Sequence, residues 1–531
     1  MYMKFKARKI LLFLLLCITM FSGNLLNVSA EQEEWRVGME AGYAPFNWTQ
    51  QTDRNGAVPI DGSSDFAGGY DVEIAKIIAD KLGKKLVIVK TEWDGLAPAL
   101  TSGKIDAIIA GMSPTAERKE TIDFTDIYYK SNLVILVKKG SIYENAESIE
   151  DFADAKITAQ LNTFHYSVID QIEGVNKQGA MDNFPAMRVA LESGIIDGYV
   201  TERPEGVTAE EVNPNFAMVE FTEETGFKTN PEDTEIAIGI RKGEPLKAEI
   251  NSIINSTFQE GDFDVIMDKA IENQPSSDSD GIWIVKIIKE NWQMFLRGAG
   301  VTLYISLIGT IIGLFIGLGI GIIRTVPMPE IKWKKYVNKL LNLIFSVYIE
   351  VFRGTPMIVQ AMVIYYGSAI AFGWDLNRIA AAILIVSVNT GAYMSEIVRG
   401  GIFSIDKGQF EAAQAIGMKH FQIMRHIVIP QVIRNILPAT GNEFVINIKD
   451  TSVLNVIAVS ELYFQAKTVS GINFRFFDTF FVACVLYFVM TFTVTRILRY
   501  AEKKMDGPES YIMSGNQNQV ERPEDMAKEG R

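Results

Sequence analysis

Cysteine is nearly absent from this chain, and so is histidine. Cys17 and Cys484 are the only thiols, and His165, His420 and His426 the only imidazoles. Neither set has the spacing that holds zinc or an iron–sulfur cluster, so no metal site is expected. No disulfide can form within residues 31–273, so that segment must be held by its own core, which about 240 residues can supply. Positive charge is also short, with 51 Lys and Arg against 64 Asp and Glu for a net −13. Together with the lack of a basic patch interleaved with aromatics, this excludes nucleic acid as a partner. A G-x-x-x-x-G-K-[ST] phosphate loop is missing too, so the chain has no such site for ATP. No paired base and nucleophile stands out in the loops, which argues against an enzyme.

The residues that are present divide the chain in two. Hydrophobic residues make up 48% and charged residues 22%, an average of two unlike halves. Lys4, Lys6, Arg8 and Lys9 precede an apolar stretch from Ile10 to Met20, and Val28-Ser29-Ala30 presents small residues for cleavage. Residues 1–30 therefore read as a signal peptide, which places the next segment of the chain outside the cytoplasm. From Trp35 to Asn273, β-rich runs ("WRVGM", "KLVIVK", "IDAIIAG", "LVILVKK", "KITAQ") alternate with helical stretches such as "GYDVEIAKIIADKLGK". That pattern predicts an extracellular α/β domain over 31–273, with ligand loops beyond the carboxyl ends of its strands.

"QPSSDSDG" (Gln274–Gly281) reads as a linker, and "IWIVKIIKENWQMFLRG" after it as an interfacial helix, so that 274–297 joins the two halves. Five apolar runs come next, at 300–323, 355–373, 378–398, 437–460 and 476–498. Each reaches the roughly 20 residues that cross a bilayer, which predicts an all-α transmembrane domain with five spans over 298–505. A polar tail occupies 506–531. Basic residues crowd alternate connections: Arg324, Lys332, Lys334, Lys335 and Arg353, then Arg399, Lys407, Lys419 and Arg425, then Arg499, Lys503 and Lys504. Those connections and the tail are expected in the cytoplasm. Gly309, Gly313, Gly317 and Gly321 line one face of the first run, open to close approach by another helix of this chain or of a second copy.

Two loops of the α/β half carry groups suited to a small charged ligand. "EAGYAPFNW" (Glu40–Trp48) comes after the first strand, and Thr91–Tyr129 contains Trp93, a Gly-Met-Ser turn and Arg118. An Arg fork can take a carboxylate by two parallel hydrogen bonds. Residues 35–273 resemble the polar amino-acid substrate-binding proteins of ABC importers, which have a two-lobed type II periplasmic-binding-protein fold. The resemblance rests on "GGYDVEIA" (Gly68–Ala75), "AGMSPTAERK" and "TIDFTDIYY". It implies a ligand set of Glu40, Tyr43, Trp93, Gly111, Ser113, Arg118, Thr163 and Glu202. Arg118, Ser113 and backbone N–H groups near Thr163 would hold the α-carboxylate, and Glu202, where the family usually has Asp, the α-ammonium. Tyr43 and Trp93 would stack on the side chain, with Glu40 near its end. Gln160 stands where glutamine-binding members often carry Lys, and "LNT" replaces their Ser-Gly-Thr turn. Glu40 with two aromatics favours arginine or lysine, with glutamine next.

The membrane half carries its own signature. Glu411-Ala412-Ala413, three residues, Gly417, nine residues, Ile427, one residue and Ile429-Pro430 resemble the EAA motif of ABC importer permeases of the histidine/glutamine type. The stretch "MKHFQIMRHIVIP" is expected to form a short amphipathic helix stopping at Pro430. "YIEVFRGTPMIVQ" is expected to end a helix at Gly354 and restart it at Pro356. The resemblance implies that Glu411, Ala412, Ala413, Gly417, Ile427 and Pro430 dock on a separate cytoplasmic ABC ATPase, in two copies. ATP and Mg would then act in that partner, with no cofactor in this chain. A single permease sequence with a self-complementary glycine face implies a homodimer. The alternative is an amino-acid-gated ion channel or receptor with the same binding fold, but the binding domain is uninterrupted and no filter such as T-V-G-Y-G is present.

Overall fold

The computed structural model describes residues 33–259, 261–274, 283–329, 331–473 and 475–505. The expected signal peptide, most of the linker and the tail lie outside the described residues.

The first half is an α/β unit of two lobes. In the first lobe Glu34–Met39 pairs in parallel with Lys85–Lys90 and Ala107–Ile108. Glu235–Ile240 returns antiparallel between Ala107–Ile108 and Asp123–Lys130, closing a five-stranded sheet. The second lobe orders Asn176–Lys177, Lys156–Thr158, Gly198–Glu202, Leu133–Lys138 and Phe216–Val219 side by side. The chain passes to the second lobe at Ser131-Asn132 and returns between Val219 and Glu235. Helix Tyr70–Leu82 shows why the pattern folds as it does. Val72, Ile74, Ala75, Ile78 and Ala79 recur at helical spacing and are buried, and Gly83 ends the helix at φ 67°.

The second half is all helical among the described residues. The expected interfacial helix is not separate from the first span: Trp283–Arg324 is one 42-residue helix. No proline interrupts it, and Gly298 fits where the backbone of Leu462 comes within 2.9 Å of a Cβ placed there. Trp283–Arg324, Arg378–Phe403 and Phe476–Lys504 are long and apolar enough to cross a membrane. Lys332–Gly354 and Met357–Phe372 form a pair bent by 114° at "RGTP". Among the described residues that makes three such helices by length and composition, or four if the bent pair is one span, against the five expected. Met357–Phe372 has only 16 residues. The expected fourth run, 437–460, is split. Helix Ile429–Asp450 begins earlier, carries Arg434, Glu443, Lys449 and Asp450, and gives way to a 3₁₀ turn over Thr451–Ile457.

The glycine face packs inside the chain. A Cβ on Gly309, Gly313, Gly317 or Gly321 would come within 2.7 Å of Val386, Thr390, Met394 or Val398 respectively. These partners also recur every four residues, along Arg378–Phe403, so the stripe is an intrachain seam. It cannot serve as the face between copies. Asn447 ties three helices here, donating to Thr310 at 2.8 Å and Thr390 at 2.9 Å. At the bend, Gln360 donates to the Phe352 and Thr355 carbonyls at 3.0 and 2.9 Å. Asn389 donates to Gln360 at 3.0 Å. Carbonyls freed by the break are thereby satisfied.

The two halves touch through named pairs. Arg297 reaches Asp65 at 3.2 Å, Lys90 donates to Thr468 at 2.6 Å, and Lys467 pairs with Glu92. Lys104 pairs with Asp375. Helix Phe184–Glu192 of the second lobe lies against Phe476–Met505, so both lobes rest on the membrane half.

Candidate functional site: a cleft between lobes and a helical loop

Strand ends assemble the cleft. Tyr43 comes after Glu34–Met39, Trp93 after Lys85–Lys90, and Gly111 and Ser113 after Ala107–Ile108. From the second lobe, Thr163 comes after Lys156–Thr158, and Glu202 is the last residue of Gly198–Glu202. Carboxyl ends of strands thus face one another across the gap, as open α/β sheets require of a ligand site. Gly111 sits at φ +61°, where a Cβ would come within 2.8 Å of the Tyr43 ring. Its N–H donates to the Tyr128 hydroxyl at 3.3 Å, which in turn donates to Asp71 at 2.8 Å. Asn47 donates to the other Asp71 oxygen at 2.7 Å. The "GGYD" stretch therefore acts through Asp71 to fix the Gly-Met-Ser turn. Burial pushes Asp71 up to about 7, against the hydrogen bonds from Asn47 and Tyr128.

The lobes are closed on one another. Arg118, near the start of Ala116–Thr121, donates to the Ser113 carbonyl at 2.9 Å and the Asn162 carbonyl at 3.0 Å. Its guanidinium lies 5.1 Å from the Trp93 ring centre, a cation–π contact. Burial lowers it to about 10, so it stays cationic at neutral pH. Asn162 also donates to Asp94 at 2.8 Å. Tyr43 donates to Glu202, whose other oxygen lies 2.8 Å from His165 Nε2. Burial works to raise the Glu202 carboxyl, but His165 and the Tyr43 hydroxyl hold it below the usual range. Tyr43 stacks on Phe184 with ring centres 4.5 Å apart. The space left is about 10 Å³, lined by seven of the eight expected ligand residues together with Gln160, Phe164 and His165.

Glu40 is the eighth, and it lies behind this lining. It lines a separate cavity of about 20 Å³ with Lys90, Glu92, Lys467 and Thr468, whereas Gln160, whose amide donates to the Asp182 carbonyl at 3.3 Å, lines the cleft. Burial pushes it up to about 7, while Lys467, Gln160 and Lys90 work the other way. Gln160 thus separates Glu40 from the cleft.

The loop at the far end of the permease-like half is built differently. Asp406 caps helix Lys407–Ala415 by accepting from Gly408 N–H at 2.6 Å. Gly417 turns the chain at φ +83°, with its N–H on the Gln414 carbonyl at 2.9 Å. Ala413, Ile423, Met424 and Val428 pack on Val398 and Ile402. Glu411, Ala412 and Pro430 are exposed and Ile427 half-buried. Ile416 and Phe421 stand 78% and 71% exposed. The second helix does not stop at Pro430. His420–Ile423 passes through a π turn, Met424–Val428, into Ile429–Asp450. Pro430 falls in the first turn of that helix, where its missing N–H costs little, and the wider π turn before it absorbs the mismatch.

Comparison with known proteins bears on both halves. Residues 35–273 match the bacterial extracellular solute-binding proteins, family 3. Residues 332–507 match the binding-protein-dependent transport system inner membrane component family. The glutamine transport system permease protein GlnP of Escherichia coli (strain K12) is 37% identical over 213 residues, 40% of this chain and 93% of that protein. The chain belongs to the binding-protein-dependent transport permease family. It carries a solute-binding domain fused ahead of the permease domain, as an amino-acid ABC importer subunit. The nopaline transport system permease protein NocM of Agrobacterium fabrum (strain C58 / ATCC 33970) is also 37% identical, over 227 residues, 41% of this chain and 90% of that protein. Among solved structures, an amino acid ABC transporter substrate-binding protein from Streptococcus pneumoniae Canada MDR_19A bound to L-arginine is 27% identical. It aligns over 45% of this chain and 94% of that one, at a TM-score of 0.40.

Within this transport permease, reasoning from sequence missed four residues at the cleft and its border. His165 directly follows the Thr163-Phe164 pair and is one of three histidines in the chain, a signal that was available. Phe164 and Phe184 have no mark that separates them from core aromatics. Lys467 is a cation on the side of the permease where basic residues are few, and that scarcity is its signal.

Proposed function

We propose that this permease subunit takes up basic amino acids, arginine or lysine, with glutamine next, at the expense of ATP hydrolysed by a separate ABC ATPase. The observation that carries this reading is the Arg118 guanidinium in the closed cleft. Its fork donates to the carbonyls of Ser113 and Asn162, which a carboxylate would replace with two charge-assisted bonds. Opening at the two crossovers would admit the ligand, since about 10 Å³ cannot hold an amino acid. Ser113 and N–H groups near Thr163 complete the carboxylate site, Glu202 receives the α-ammonium, and Tyr43 and Trp93 flank the side chain. Its far end points toward Gln160, with Glu40 behind.

The Glu411–Pro430 loop, with Ile416 and Phe421 exposed, is the ATPase docking element, and it and the C-terminus lie in the cytoplasm. The binding domain lies outside the cell membrane. Arg434, Asn435, Asn442, Lys449 and Asp450 stand exposed on helix Ile429–Asp450. Polar groups at membrane depth need a cavity or a partner. A second copy of the chain supplies both, giving a homodimer with two ATPase subunits. A thermal-shift panel of the common amino acids on the full-length protein tests the substrate class. A ligand at a hundred times its Kd stabilises by about 2.7 kcal/mol. Arginine and lysine should shift the midpoint most; a panel with no shift rejects the class.

A further inference from the structure

We infer that docking delivers Lys467 of the permease as a rival cation for Glu40, so that contact with the membrane half weakens the hold on a basic amino acid and spares an uncharged one. This rests on the proposal that the substrate is a basic amino acid. The charged residues around the second cavity are Glu40, Glu92, Lys90 and Lys467. Three belong to the binding domain, and with Glu40 ionised, the form that a nearby cation favours, they leave one negative charge unbalanced. Within its own domain Lys90 donates to Thr49 at 3.0 Å. The missing positive charge can come from either side. From the cleft, a ligand guanidinium or ammonium approaches Glu40 past Gln160, which lines the cleft. From the permease, Lys467 enters beside Glu92, and with it the four charges sum to zero.

Helix Leu462–Asn473, which bears Lys467, reaches this position only when the domain is seated, because Lys90–Thr468 and Glu92–Lys467 both bridge the two halves. An isolated binding domain therefore keeps Glu40 free for a basic side chain, and a seated one does not. The ligand loses one anchor where the permeation path begins. Like charges brought near one carboxylate compete for it, and the weaker-held one leaves.

The test is equilibrium binding of L-arginine and L-glutamine to the full-length protein in lipid nanodiscs. Lys467→Met should tighten arginine about tenfold, the equivalent of about 1.4 kcal/mol, and leave glutamine within about twofold. Glu92→Gln removes the partner that holds Lys467 and one balancing charge, so arginine should weaken while glutamine holds. Lys467→Arg keeps the charge and should behave as the parent, which separates charge from folding. Unchanged arginine binding in Lys467→Met, or a parallel change for both ligands, overturns the inference and leaves the substrate reading standing. Glutamine binding with no arginine binding in any form, Lys467→Met included, overturns both.

Discussion

Around Arg118 the chain buries polar groups against one another; around Gly417 it leaves apolar groups in the open. Ser113, Glu202 and Gln160 are at least nine-tenths buried, and their contacts come from the two lobes of the same domain. Ile416 and Phe421 are mostly exposed, on a turn whose own core lies beneath them. A cleft of the first kind closes on something small and charged. A surface of the second kind is completed by something large. The two regions therefore divide the work, and changes in one should leave the other intact.

The sharpest break is at the loop. Gly417→Pro forces φ from +83° to about −65° and removes the N–H that bonds Gln414. Uptake into proteoliposomes should be abolished, while amino-acid affinity stays within about twofold. Loss of both would show that the change unfolds the protein rather than uncouples it. Arg118→Ala is the converse. Hydrogen bonds to charged groups contribute about 1.5–3 kcal/mol each, so losing a fork should weaken binding about a hundredfold or more. Titration calorimetry checks it, and the melting of the unliganded protein should hardly move.

The seam between these regions can be strained directly. Gly317 meets Met394 with no room for a side chain, since a Cβ there would overlap the Met394 Cβ. Gly317→Leu overpacks the helix pair, which costs about 1–3 kcal/mol. The permease transition in thermal unfolding should fall and transport slow, with ligand affinity kept. A drop in affinity as well would show that packing in the membrane half reaches the cleft.

Much of the cleft is readable in the sequence because its residues come after strand ends in chain order, and such turns are local. Glu40 is only partly readable. Its place after the first strand says that it lies near the cleft, but not that Gln160 stands between. Lys467 is marked by the scarcity of cations around it, but its pairing with Glu92, 375 positions away, is out of reach. The glycine stripe announces a close approach without naming Arg378–Phe403 as the partner. Pro430 reads as a stop because proline usually ends a helix, and nothing in the letters marks the π turn that lets it begin one. The amphipathic stretch after the linker reads as a surface helix by composition, yet no breaker separates it from the span, so the helix runs on.

The smallest effect concerns Asp71, which supports the cleft from behind. Its folded value of about 7 lies above the ordinary 3.8, so the folded domain holds a proton that the unfolded chain releases. Stability from this group is complete below about pH 4 and is lost as pH rises toward 7, at a slope of at most about 1.4 kcal/mol per pH unit. Glu40, also raised to about 7 from 4.5, adds a slope of the same sign. Asp71→Asn keeps an oxygen to accept from Tyr128 but carries no proton to lose, so one of the two slopes should vanish. Thermal midpoints of the binding domain in the full-length protein, tracked between about pH 4 and 7, should therefore fall less steeply in the variant. Combining Asp71→Asn with Gly417→Pro should leave the flattened profile unchanged, and a profile altered by the loop substitution would show that the two regions are not independent.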